Sequence, residues 1–150
     1  MNLKNIFHIL GIFVFLIGAA MLPAFVIAAA LHEAAWRAIG LASLVTMGAG
    51  LGMYVFIRRT GERISLTHRE GFLIVTLAWV LASAFGGLPF LFSGVVPTFC
   101  DAFFETMSGF TTTGASVISD LDTTSRGILF WRSLTQWLGG MGIIILSIAI

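Results

Sequence analysis

The stretch SGFTTTGAS, Ser108–Ser116, decides how this chain folds. Three threonines and a glycine follow a short amphipathic segment, with long apolar runs on both sides. In water the stretch is an ordinary polar loop. At membrane depth its backbone must be buried in protein or line a wet cavity, because lipid offers no hydrogen-bond partner. The surrounding residues have to separate the two cases.

Those residues are mostly apolar. Of the 150 residues, 58% are hydrophobic and 10% charged, with a mean hydropathy of +1.02. Soluble domains run at about 25% charged residues, and a chain this short leaves much of its surface exposed. The composition therefore predicts an all-α integral membrane protein. A net charge of +1 gives no field that would call for nucleic acid. The single cysteine, Cys100, rules out an internal disulfide and a cysteine-based metal cluster.

Four apolar runs, Ile6–Leu31, Ala38–Ile57, Phe72–Phe92 and Gly127–Ile150, each reach the roughly 20 residues that cross about 30 Å of hydrocarbon. Ala28-Ala29-Ala30 resembles a signal-peptide cleavage site, but the first run far exceeds the apolar core of such a peptide. A retained helix is expected. Lys4 precedes the first run, Arg37 stands alone in the first loop, and Arg58, Arg59, Arg63 and Arg69 crowd the second. No Lys or Arg occurs from Glu70 to Ser125. This bias predicts a cytoplasmic N-terminus and a cytoplasmic 58–69 loop. Residues Ser93–Ser125, with Asp101, Glu105, Asp120 and Asp122, then lie on the outer side.

Within that outer segment Pro97-Thr98 reads as a helix start, and Asp101 suits the positive helix end. Phe99, Phe103, Met107 and Phe110 recur at helical spacing, with Phe104 beside them. Ser108-Gly109 is expected to end the helix. A helix over about 98–109 spans about 18 Å, too short to cross a bilayer. It is the size of a re-entrant helix or of one lying on the surface.

A row of main-chain carbonyls facing a wet cavity replaces the water shell of a small cation. Such a row needs small residues, and a glycine where positive φ turns a carbonyl inward. Thr111-Thr112-Thr113-Gly114-Ala115 supplies both. The preceding helix would aim its negative C-terminal end at the ion, and oxygen-only ligands suit alkali cations. The competing reading is an exposed polar loop after a surface helix, and spacing alone leaves both open.

The stretch FFETMSGFTTTGAS, Phe103–Ser116, followed by WRSLTQWLGGMGIIILSIAI, Trp131–Ile150, resembles the first pore repeat of the Trk/Ktr family of potassium transporters. Two spans ahead of the repeat resemble its TrkH/TrkG branch more than its KtrB branch. Trp137, Gly139, Gly140 and Gly142 carry part of the likeness. The resemblance implies four helix–pore-loop–helix repeats around one pore, each with a re-entrant pore helix and filter loop. Thr111, Thr112, Thr113 and Gly114 would line the ion path, K+ meeting the backbone carbonyls of Thr112 and Thr113 among them. It implies potassium uptake, as a channel or as H+- or Na+-coupled symport, across the bacterial cytoplasmic (inner) membrane. It also implies a homodimer with a cytoplasmic, nucleotide-binding TrkA-type regulator, and no cofactor beyond the transported K+. Residues 1–69 would form two N-terminal spans and a cytoplasmic loop, and residues 70–150 the first repeat, with filter 111–115. A filter ring needs four loops and only one is here. The sequence stops inside an apolar run at Ile150. It is therefore read as the N-terminal part of a longer chain, which alone should not conduct unless four copies assembled. The alternative is a non-transporting membrane anchor or assembly subunit.

Arg132, the only charge in the last apolar run, is read mainly as an anchor near the outer interface, and alternatively as a group that repels cations or pairs with Glu105 or Asp101 near the pore mouth. Glu105 and Asp101 lack a nucleophile or metal-ligand partner, so no enzyme is expected; they would face water or enrich cations at the pore mouth. His8, His32 and His68 share no ligand-like spacing. Gly48, Gly50 and Gly52 suit close helix packing, and Gly139, Gly140 and Gly142 suit either packing or a bend. Trp36, Trp131 and Trp137 are placed near span ends, in aromatic belts, and Trp79 against another helix. No Walker loop or dinucleotide motif is present.

Overall fold

Pro23 and Pro89 shape two of the spans. A proline cannot donate to the carbonyl four residues back. In the computed structural model, the chain leaves the helix for one residue at Met21 and at Gly87, two positions before each proline, then resumes it. The structure describes residues 3–57 and 67–149, with side chains over 5–55 and 67–142. Among the described residues every regular element is helical: α1 (Leu3–Ala20), α2 (Leu22–Ala30), α3 (Ala35–Ile57), α4 (His68–Gly86), α5 (Leu88–Phe92), α6 (Phe99–Phe110) and α7 (Arg126–Ala149).

Among the described residues three stretches are long and apolar enough to cross a membrane: Asn5–Ala30, Ala35–Val55 and His68–Phe92. They coincide with the first three expected runs. The fourth run is the 24-residue α7, about 36 Å long at 1.5 Å per residue. Of the charges that set the expected orientation, Arg58, Arg59 and Arg63 lie outside the described residues.

α1 packs along α3, and glycine brings their backbones together. A Cβ on Gly11 would lie 2.9 Å from the Gly50 carbonyl oxygen, and one on Gly18 2.8 Å from the Met47 amide nitrogen. Small residues allow such contact where lipid gives no hydrophobic drive for helix association. Ser43 crosses the same seam, donating to the Gly18 carbonyl at 2.9 Å. Of Gly48, Gly50 and Gly52, only Gly50 serves this contact; the other two have nothing within 4 Å of an added Cβ.

The core runs from α2 and α3 into the later helices through Met21, Ala24, Ile39, Phe90, Phe110 and Trp131. α6 lies against both α4 and α7. The interruption at Gly87 also lets α6 in, since a Cβ there would sit 2.9 Å from the Ala102 carbonyl oxygen. Trp131 is fully buried and donates its indole N–H to the Gly86 carbonyl at 2.8 Å. This corrects its expected place in an aromatic belt. A buried indole needs an acceptor, and the backbone beside the break supplies one. Trp79 does pack against another helix, edge-on to Phe110 with ring centroids 6.5 Å apart.

Candidate functional site

The short helix α6 starts one residue later than expected, because Thr98 is its cap. The Thr98 hydroxyl oxygen accepts from the Asp101 amide at 3.1 Å and donates to the Asp101 carboxylate at 2.7 Å. Asp101 is therefore engaged at the helix start. The helix then turns Ala102, Glu105, Thr106, Gly109 and Phe110 inward, presenting one face to α4 and α7.

Gly109 does not end the helix. The chain stays helical through Phe110 and turns at Thr112. The Thr113 amide donates to the Ser108 carbonyl at 3.0 Å, and the Thr112 amide to that of Gly109 at 2.9 Å. These two bonds define a Schellman end, whose turning residue takes left-handed backbone and is usually glycine. Here it is Thr112, at φ 57°, where a β-branched side chain is an outlier. Gly109 serves packing instead: a Cβ there would overlap the Thr135 hydroxyl, and one on Gly139 would overlap the Phe110 carbonyl. The end of α6 thus lies directly against the backbone of α7. Gly140 is looser, and Gly142 meets nothing within 4 Å.

Beyond the turn the loop is tied at its flanks and open in its middle. The Thr111 hydroxyl donates to the Met107 carbonyl at 2.8 Å and lies 2.9 Å from the Thr113 hydroxyl. The Ser108 hydroxyl donates to the Ala115 carbonyl at 2.6 Å. Gly114 is left-handed, at φ 79°. Among the described residues, no hydrogen bond reaches the carbonyls of Thr111, Thr112, Thr113 or Gly114. Ala115, within the expected 111–115 range, differs, because its carbonyl is already bonded to α6. Residues 111–117 are exposed in this chain.

Glu105 holds the extended segment leaving the loop. It is 1% exposed, and a buried carboxylate is costly unless paired and hydrogen-bonded. It has several partners. Arg132 Nε of α7 donates at 2.6 Å, the Ser116 hydroxyl lies 3.0 Å from both carboxylate oxygens, and the Val117 amide donates at 2.9 Å. The expectation that Glu105 faces water is thereby corrected, and of the readings of Arg132 the pairing with Glu105 prevails. A chain of contacts runs from α7 through Arg132 and Glu105 to Ser116 and Val117, two and three residues after Gly114 in the chain.

The structure thus brings together all four residues read from the sequence as a possible ion path. It adds the hydroxyls of Ser108 and Ser116 and the side chain of Thr135, to which sequence reasoning gave no role at the site. Ser108 and Ser116 were visible as part of a polar stretch; nothing local marked Thr135. The histidines stand apart: His8 lies against Tyr54, His32 follows α2, and His68 opens α4.

The model of the family described as TrkH, cation transport protein, matches residues 51–150. The Trk system potassium uptake protein TrkH of Salmonella typhimurium is 41% identical over 151 residues, covering 100% of this chain and 31% of that protein. TrkH of Halomonas elongata is 40% identical over 153 residues, with the same coverage. The crystal structure of the potassium transporter TrkH from Vibrio parahaemolyticus is similar, with a TM-score of 0.90 at 37% identity, over 99% of this chain and 32% of that one. The chain therefore spans 31% of the length of these curated relatives. With a family model that matches its last hundred residues and relatives alike along its full length, this integral membrane chain belongs to the TrkH cation transport family.

Proposed function

We infer that the chain contributes one filter-bearing repeat to a potassium uptake protein of the bacterial cytoplasmic membrane. The observation that carries this reading is the row of four exposed carbonyls, Thr111 to Gly114, without donors among the described residues, while those of Ser108, Gly109 and Ala115 accept hydrogen bonds and that of Phe110 is packed against Gly139 of α7. Unpaired carbonyls on an exposed loop suit an ion that sheds its water. Left-handed backbone at Thr112 and Gly114, with Thr113 between, supports the reading, because it breaks the alternation of carbonyl directions in an extended chain. The C-terminal end of α6 abuts the loop, and its partial negative charge favours a cation there.

In this reading K+ enters from the outer side and exchanges water for the carbonyls of Thr111–Gly114. Three further loops, supplied by residues outside this chain, complete the ring. The Glu105–Arg132 brace keeps the segment that leaves the loop in place. Assembly as a homodimer and control by a cytoplasmic nucleotide-binding partner are carried over from the family resemblance. The division into residues 1–69 and 70–150 belongs to the same proposal.

The test is potassium-limited growth and Rb+ uptake in a transport-deficient bacterium carrying the full-length protein. Gly114→Val should abolish uptake or the preference for K+ over Na+, since valine is strained at φ 79°. Unchanged uptake and preference would remove the filter assignment. The exposure of residues 111–117 favours a second reading, a membrane anchor with a polar external loop. That reading requires Thr112→Cys to react with bulky impermeant reagents whether or not K+ is present. The filter reading requires protection that changes with K+.

A further inference from the structure

Glu33 lies in the short connection between α2 and α3, ahead of the repeat. Its carboxylate reaches the start of α7, 92 residues away in sequence. The Ser125 hydroxyl donates to one oxygen, the Gly127 amide to the same oxygen at 3.0 Å, and the Arg126 amide to the other at 2.9 Å. The first amides of a helix have no partner within it, and a side chain next to them in sequence usually serves. Here an acid from another hairpin does so, and the neighbouring Ser125 hydroxyl is spent on that acid. Burial raises the Glu33 pKa. The Ser125 hydroxyl, the Gly127 and Arg126 amides and the Arg126 charge outweigh this and hold the carboxyl below its usual range.

A second contact fixes the same junction. A Cβ on Gly127 would lie 2.6 Å from the Ala28 Cβ, and 3.1 Å from both the Ala24 carbonyl oxygen and the Ile39 side chain. The first turn of α7 is thus set against α2 and α3. Glu33 itself is held by the end of α2, where its amide donates to Ala28 and His32 turns the chain at φ 55°. Further along, α7 presents Arg132 to Glu105, Thr135 to Gly109 and Gly139 to Phe110. A slide or tilt of α7 moves all three contacts, and with them both ends of the 111–114 loop.

We propose that Glu33 is a positioning residue: it sets the register of α7 from the α2–α3 hairpin and so holds the filter loop in its working geometry. This rests on reading Thr111–Gly114 as the ion path. It gives the two N-terminal spans a defined task, that of a fixed frame for the repeat.

The experiment compares full-length protein in lipid vesicles as wild type, Glu33→Ala, and Glu33→Ala with Ser125→Asp. An aspartate at 125 caps α7 locally without rebuilding the tie to the hairpin. Thermal unfolding is read beside K+ uptake kinetics. The distance between spin labels on Leu44→Cys and Ser133→Cys is measured in a Cys100→Ser background. Expected is recovery of the unfolding temperature in the recapped variant. The label distance should stay shifted or broadened, and the half-saturating K+ concentration raised by about fivefold or more, the low end of coupling between linked sites. Recovery of distance and uptake along with stability would reduce Glu33 to a helix cap and overturn the proposal. So would a Glu33→Ala protein with wild-type distance and uptake. If Glu33→Ala does not insert, Glu33→Gln enters the same comparison. If the wild type carries no K+, the transport reading fails, while the label distance still decides the role of Glu33.

Discussion

Replacing Glu105 by glutamine tests how the loop is braced. The wild-type carboxylate accepts from Arg132, Ser116 and Val117 and is 1% exposed. Glutamine keeps the shape but offers one oxygen and an NH2 group, so at least one of these three donors loses its acceptor. Breaking a buried ion pair costs about 3–5 kcal/mol. The Arg132 side chain is 18% exposed and regains some water, which lowers the expected loss to about 2–3 kcal/mol. Arg132→Met removes the other partner and leaves Glu105 with Ser116 and Val117. The double variant carries neither charge, so it should recover part of the sum, with a coupling of about 1–3 kcal/mol. The assay is thermal or denaturant unfolding of the full-length protein in detergent, beside K+ and Na+ flux in vesicles. Glu105→Gln should also narrow the difference between the two fluxes, because Ser116 and Val117 lead directly out of the loop. Single-variant losses that add within about 0.5 kcal/mol, or a Glu105→Gln protein with wild-type stability and ion preference, would refute the brace.

Gly139→Ala should cost about 1–3 kcal/mol and impair uptake, because the new methyl meets the Phe110 backbone, which has no rotamer to yield; Gly142→Ala, with open space around it, should be neutral or slightly stabilising by the same unfolding assay. Thr112→Gly should raise stability by about 1 kcal/mol by relieving left-handed threonine, whereas Thr112→Val should not. Trp131→Phe removes the donor to the Gly86 carbonyl and should lower stability by about 0.5–1.5 kcal/mol. The lowered Glu33 pKa means that its stabilisation is present above about the ordinary value of 4.5 and is lost as pH falls through the folded-state value; the gap in unfolding temperature between wild type and Glu33→Gln should therefore close as the pH is taken from neutral to below that range.

Apolar length and helical spacing are local signals, and the elements that depend on them were legible in the sequence. The first three spans and the phenylalanine-spaced α6 stand within a few residues of their expected places. The end of α6 was not legible, because Gly109 reads as a stop when only neighbours are considered. Its missing side chain answers Thr135, more than twenty positions on, and the helix turns instead at a threonine that propensity disfavours. The pairing of Glu105 with Arg132 is one of several that the sequence allows. Their separation of 27 residues gives sequence patterns nothing with which to rank them. Gly11 and Gly18 pair with α3 only once the first loop has folded back. The burial of Trp131 was not legible, because a tryptophan near a span end suits an interface equally well. Its acceptor at Gly86 exists only after α4 and α7 meet. Glu33 left no trace in the sequence for the same reason: a carboxylate beside a turn looks solvated until a distant helix start arrives over it.

The most direct measurement is anomalous scattering from Rb+ or Tl+ in crystals of the full-length protein. A peak in direct contact with the carbonyl oxygens of Thr111, Thr112, Thr113 and Gly114 is the predicted result. Full uptake activity together with ion peaks only elsewhere in the protein would contradict it.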